Sequence, residues 1–98
     1  MQPAGTFQIG ADHPSLPGHF PGRPIVPGVV LLDHAFELIL RMHPGAVLGL
    51  PSVKFTASVR PGEEVQVSCA EGSGRVAFTA TVAGLDVLRG TVTIGVRP

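Results

Sequence analysis

The sequence predicts an α+β domain in which one antiparallel sheet wraps around a single central helix. Three observations carry that expectation. An apolar run from Gly28 to about Met42 has helical character, the segments after it alternate with a period of two, and the proline- and glycine-rich stretch from His13 to Pro27 is a loop in which no regular element could persist. A helix of this kind needs a surface on which to bury its apolar flank, and the strands that follow it supply one.

Each element has its own signal. Phe7 and Ile9 alternate weakly with Gln8 across Thr6 to Ala11, which predicts a short first strand. The helix is expected to stop at His43-Pro44-Gly45, where proline cannot continue it and glycine accepts the exit geometry. Val53, Phe55, Ala57 and Val59 then alternate with Lys54, Thr56, Ser58 and Arg60, the pattern of a half-buried strand closed by the turn Pro61-Gly62. Val65, Val67 and Cys69 alternate with Glu64, Gln66 and Ser68, and Glu71-Gly72-Ser73-Gly74 turns the chain into Val76, Phe78, Ala80 and Val82. A last strand spans roughly Val87 to Val96, with Gly90 as a candidate bulge.

The composition narrows the function classes. A chain of 98 residues accommodates one domain, 1–98, whose small core makes oligomerisation a fair expectation. Glycine and proline are abundant at 13 and 10 residues, yet 44% hydrophobic content argues for a packed chain. Seven basic residues balance seven acidic ones, so no global field draws the protein to nucleic acid or to an anionic membrane. Cys69 is the single cysteine, which excludes an intramolecular disulfide and a multi-cysteine metal site. The four histidines and seven acids lack metal-ligand spacing such as HExxH, so no metal is expected. Met1 to Gly10 has neither the basic start nor the apolar core of a signal peptide, and Val29 to Leu40 is too short and polar to span a bilayer, which gives a cytoplasmic expectation.

The richest segment runs from Gly18 to Asp33, GHFPGRPIVPGVVLLD. Pro21, Pro24 and Pro27 stiffen the loop and push the residues before them toward extended conformations, so His19 is presented at little further entropic cost. Phe20 and Ile25 are apolar anchors beside a histidine fit to act as a base near neutral pH; the plainer reading is an exposed loop histidine. Gly28 opens the helix, so its backbone N–H is free to meet a substrate oxygen and its missing side chain permits close approach, although an ordinary helix-entry glycine would look the same. Asp33 follows the apolar run Val29 to Leu32, which suggests enclosure and a protonated carboxyl able to donate to a leaving hydroxyl. Asp33, Glu37 and Arg41 also fall at successive i, i+4 steps, the spacing of a solvated stripe with an ion pair. The three prolines at three-residue spacing fit a polyproline ligand less well, because the segment leads directly into an apolar helix.

This segment resembles the active-site motif of the FabA/FabZ family of 3-hydroxyacyl-acyl-carrier-protein dehydratases, H-F-P-G-x-P-x-x-P-G followed by an apolar helix bearing an acid. Every fixed position is filled from His19 to Gly28, and the acid falls at Asp33, the residue type of the FabA branch. The resemblance covers nearly the whole chain and implies the hot-dog fold. It implies removal of water from a (3R)-3-hydroxyacyl thioester on acyl carrier protein to give the trans-2-enoyl thioester, in fatty acid or related polyene or polyketide biosynthesis, without a cofactor. It assigns His19 and Asp33 as the catalytic pair, Gly28 as the oxyanion donor, and a loop carbonyl near Ile25 as the group orienting His19. Phe20, Ile25 and Phe36 are then candidate substrate-binding residues. With no Tyr or Trp in the chain, Phe20, Phe36 and Phe55 are the candidates for an aromatic lining, core packing being the alternative for each.

In that family the histidine of one protomer faces the acid of its partner, which implies a homodimer or an oligomer of dimers. The carrier is acidic, and Arg23, Lys54, Arg60 and Arg97 are candidate docking residues. Glu37 departs from the glutamine common four residues after the acid, and it either raises the proton affinity of Asp33 or pairs with Arg41. The chain is also minimal at both ends compared with fuller-length dehydratases. Two alternatives stay open: a hot-dog acyl thioesterase, and a non-catalytic subunit pairing with a larger homologous dehydratase.

Overall fold

The computed structural model describes residues 1–10 and 25–95. His13, His19, Phe20, Arg23 and Arg97 lie outside the described residues. The elements are β1 (Gln2–Phe7), α1 (Gly28–Met42), β2 (Ala46–Phe55), β3 (Val65–Gly72), β4 (Arg75–Val82) and β5 (Leu85–Gly95). The strands form one antiparallel sheet in the order β1-β3-β4-β5-β2, with α1 against one face, nearest β1 and β3. This is the hot-dog architecture, with the helix where the sequence places it.

Register explains which side chains meet the helix. Gln2, Cys69, Phe78, Gly90 and Val53 lie opposite one another across the five strands, and Cys69 and Phe78 of this row are buried. The adjacent row, Ser68, Thr79, Arg89 and Lys54, points the other way and is polar, as alternation requires. Leu31, Ala35, Leu38 and Ile39 supply the buried flank of α1 at three- and four-residue spacing, and they pack with Val65, Val67, Phe78, Leu88 and Val92 into one core. The helix ends at Met42, and the His43 N–H donates to the Ile39 carbonyl at 2.9 Å. Among the described residues no helix is long and apolar enough to cross a membrane.

Three strand expectations are corrected. The first strand lies earlier than the Phe7/Ile9 alternation suggests, at Gln2–Phe7, with an irregularity between Pro3 and Gly5. The strand expected over Val53 to Val59 runs instead from Ala46 to Phe55. Gly49 and Pro51 argue against a strand in sequence, but β2 is an edge strand, where a proline need not donate to the ladder, and its register slips between Gly49 and Ser52. The bulge expected at Gly90 falls at Val87, between the Ala80–Leu88 and Thr81–Asp86 pairs. Gly90 serves close approach: a Cβ there would run into the Ser52 carbonyl and come to 3.0 Å from Phe78 Cζ.

The two remaining turns are two-residue hairpin loops with positive φ at both positions, Ser73 (53°) and Gly74 (76°), and Ala83 (51°) and Gly84 (82°). The first carries its glycine signal in the sequence. The second places an alanine where alanine is strained.

Candidate active site

The site is built around the start of α1. Pro27 is extended, at φ −59° and ψ 144°, and the helix begins at the next residue without a side-chain cap. Val30 and Leu31 both donate to the Pro27 carbonyl, at 3.0 and 3.3 Å, while none of the described residues accepts from the N–H groups of Gly28 or Val29. These are the open donors that every helix start leaves, and they carry the positive end of the helix dipole.

The chain just before the helix is fixed from the side. Val26 donates to the Val59 carbonyl at 2.8 Å, and both side chains are buried. A cleft of about 300 Å³ opens beside this tie, lined by Ile25, Gly28, Leu31, Phe55, Ala57 and Ser58 among others. Gly28 and Phe55 are so close that a Cβ on Gly28 would stand 2.7 Å from Phe55 Cζ. The structure therefore joins Ile25 and Gly28 in one cleft and adds the segment after β2. The sequence hides that segment's role behind its alternation, because the strand ends at Phe55, residues 56–58 are exposed, and only Val59 returns to the core.

Asp33 is placed elsewhere on the helix. It is exposed, not enclosed as the preceding apolar run suggests. Five residues beyond Gly28, it lies about 140° around the helix axis. It shares an outward stripe with Val29, Glu37 and Arg41, and Val29 is 65% exposed. The buried flank of the helix carries Leu31, Ala35, Leu38 and Ile39, and Val29 lies outside it, so Val29 contributes apolar surface without enclosure. Glu37 pairs with Arg41 at 3.1 Å, on the exposed surface. Neighbouring His34 stacks on Phe7 with ring centroids 5.0 Å apart.

Phe36 packs edge-on to Phe78 at 5.8 Å, on the core side, and is not among the described residues lining the cleft. Among the docking candidates, Lys54 lies opposite Arg89 on the sheet face away from the helix, and the Arg60 N–H donates to Glu63 Oε1 at 2.7 Å. Burial pushes the Cys69 thiol above its ordinary pKa, so it is no nucleophile. No group of three or more His, Cys, Asp or Glu among the described residues could hold a metal ion.

Residues 2–90 match the ApeI-like family, described as ApeI dehydratase. The chain belongs to the ApeI-like dehydratase family. It is 34% identical to a 3-hydroxyacyl-[acyl-carrier-protein] dehydratase FabZ of Chloroflexus aggregans, over 85% of this chain and 67% of that protein. It is 29% identical to the FabZ of Erwinia tasmaniensis, over 88% of this chain and 60% of that one. The chain thus spans roughly three-fifths to two-thirds of these relatives' lengths. Among solved structures, the dehydratase heterocomplex ApeI:P from Xenorhabdus doucetiae matches with a TM-score of 0.78 and 19% identity, covering 91% of this chain and 82% of that one. An uncharacterized protein from Erwinia carotovora subsp. atroseptica matches with a TM-score of 0.77 and 20% identity, covering 92% and 79%. These two similarities establish the hot-dog fold, and the family match extends it to a dehydratase framework.

Proposed function

We propose that this ApeI-like protein dehydrates a 3-hydroxyacyl thioester carried on acyl carrier protein. The observation that carries the reading is the open helix start at Gly28, set beside an apolar cleft and directly downstream of the His19 to Gly28 motif. The thioester oxygen accepts from the Gly28 N–H, where the helix dipole stabilises the negative charge that develops when C2 loses its proton. His19 takes that proton. Asp33 gives its proton to the C3 hydroxyl, which leaves as water, and the electron pair from C2 closes the 2,3 double bond. Exchange with solvent returns His19 and Asp33 to their starting states.

The reading does not place the whole site in one chain. Asp33 faces outward, about 140° around the helix from Gly28. The reading therefore pairs His19 of one protomer with Asp33 of another, in a homodimer or an oligomer of dimers. The uncovered apolar residues of the edge strand β2, with Val47 39%, Leu48 62% and Val53 38% exposed, support such an assembly. A heterodimer with a homologous dehydratase is the second reading. An outward-facing Asp33 fits either kind of second chain, and a dehydratase heterocomplex is a structural neighbour.

The test is mass spectrometry of the carrier-bound acyl group before and after addition of the protein. Loss of one water with the thioester retained supports the dehydratase, free acid supports a thioesterase, and no change by the purified chain alone supports the partner-subunit reading.

A further inference from the structure

Phe55 closes β2 on a backbone with little freedom. It pairs with Leu88, and the next residue, Thr56, donates its N–H to the Val87 carbonyl at 2.9 Å and its hydroxyl to the Asp86 carbonyl at 2.8 Å. The entrance to α1 is separately tied to the segment following β2 by the Val26–Val59 hydrogen bond. The ring points tip-first at Gly28: a Cβ there would stand 2.7, 2.8 and 3.2 Å from Cζ, Cε1 and Cε2. The rest of the ring is open, leaving Phe55 45% exposed along a wall of the cleft.

We infer that Phe55 is a specificity-determining residue: with the bare Cα of Gly28, it fixes the breadth of the acyl group that can lie at the helix start and selects against branching beside the thioester carbon. The inference rests on the dehydratase reading for the identity of the ligand. An oxygen bound at the Gly28 N–H brings the first carbons of its acyl chain alongside the ring. A linear chain gains contact with the apolar flank, whereas a methyl branch must displace a side chain whose backbone is held on both sides. A pocket wall of this kind discriminates one methyl group by ~10- to 200-fold.

The experiment compares wild type, Phe55→Ala and Phe55→Leu on 3-hydroxybutyryl and 2-methyl-3-hydroxybutyryl thioesters of N-acetylcysteamine. In parallel, dissociation constants are measured by NMR titration for the unreactive butyryl and 2-methylbutyryl thioesters. Wild type should prefer the linear member by ~10-fold or more in both series. Phe55→Ala should shrink that preference to about threefold or less by gaining on the branched member, with Phe55→Leu between them. Phe55→Leu carries the comparison if Phe55→Ala does not fold. A second arm uses Gly28→Ala, which keeps the N–H but meets the ring: it should weaken binding of the linear ligand, and Gly28→Ala/Phe55→Ala should recover it. Equal preference in wild type and the Phe55 variants, absence of binding or discrimination in wild type, or a double variant no better than Gly28→Ala would overturn the inference. If wild type turns over neither reactive thioester, the dehydratase reading fails, and the unreactive pair alone decides the role of Phe55.

Discussion

Val26 and Val59 join the start of the helix to the segment after β2 through a 2.8 Å backbone hydrogen bond, with side chains 3% and 1% exposed. The tie holds the backbone two residues before Gly28, and both valines line the cleft. Val59→Ala should cost roughly 1.5–3 kcal/mol, from lost burial and the cavity left behind. Denaturant unfolding measures it. A loss below about 0.5 kcal/mol would mean that Val59 is not a core anchor.

His19→Ala should lower turnover by about 10²- to 10⁴-fold, the contribution of a positioned base. Asp33→Asn should be similarly inactive, since the amide does not supply the proton that the leaving hydroxyl needs. Because Asp33 is exposed, its replacement should shift stability by no more than about 0.5 kcal/mol. Kinetics and thermal melts on the same samples separate catalysis from folding. Full activity in Asp33→Asn would return this residue to the solvated stripe.

Mixing the His19→Ala and Asp33→Ala proteins tests where each half of the site comes from. In a mixed dimer with shared sites, one site keeps both groups and the other lacks both. With random exchange about half of the dimers are mixed, so roughly a quarter of wild-type activity should return. An inactive mixture in which native mass spectrometry confirms subunit exchange excludes the shared site.

Ala83 occupies a left-handed position in the β4–β5 turn, at φ 51°. Ala83→Asn should therefore stabilise the fold by about 0.5–1 kcal/mol, because asparagine tolerates this region at lower cost. A melting temperature equal to or below that of wild type would contradict the turn geometry. Gly90→Ala should act in the opposite sense, losing roughly 1–3 kcal/mol as its Cβ meets the Ser52 carbonyl and the Phe78 ring.

Burial of Cys69, which pushes its thiol above its ordinary pKa, leaves it protonated and shielded at neutral pH. Alkylation of the native protein should be far slower than that of protein unfolded in denaturant. Comparable rates in the two states would show that the β3 core is open to solvent.

The sequence by itself determined the helix and most of the sheet. The Gly28 to Met42 run, the stop at His43-Pro44-Gly45 and the period-two segments beyond Val65 act through local backbone preference and one-sided burial, both of which neighbouring residues encode. It also determined the motif from His19 to Gly28 and the spacing to Asp33, which are matters of chain order.

Only the tertiary structure decided where β2 lies and what residues 56–59 do. A proline is admissible in a strand once that strand is at an edge, and strand order is a long-range property. The same holds for Asp33, Glu37 and Phe36. An apolar run before Asp33 reads locally as enclosure, yet burial depends on which flank of the helix meets the sheet. That flank carries Ala35 and Ile39, while Asp33 and the Glu37–Arg41 pair face outward. Packing also set Phe36 against Phe78 and brought Phe55 against Gly28, 27 positions away in the chain, because contacts between a helix and a sheet follow how the two elements pack rather than sequence distance.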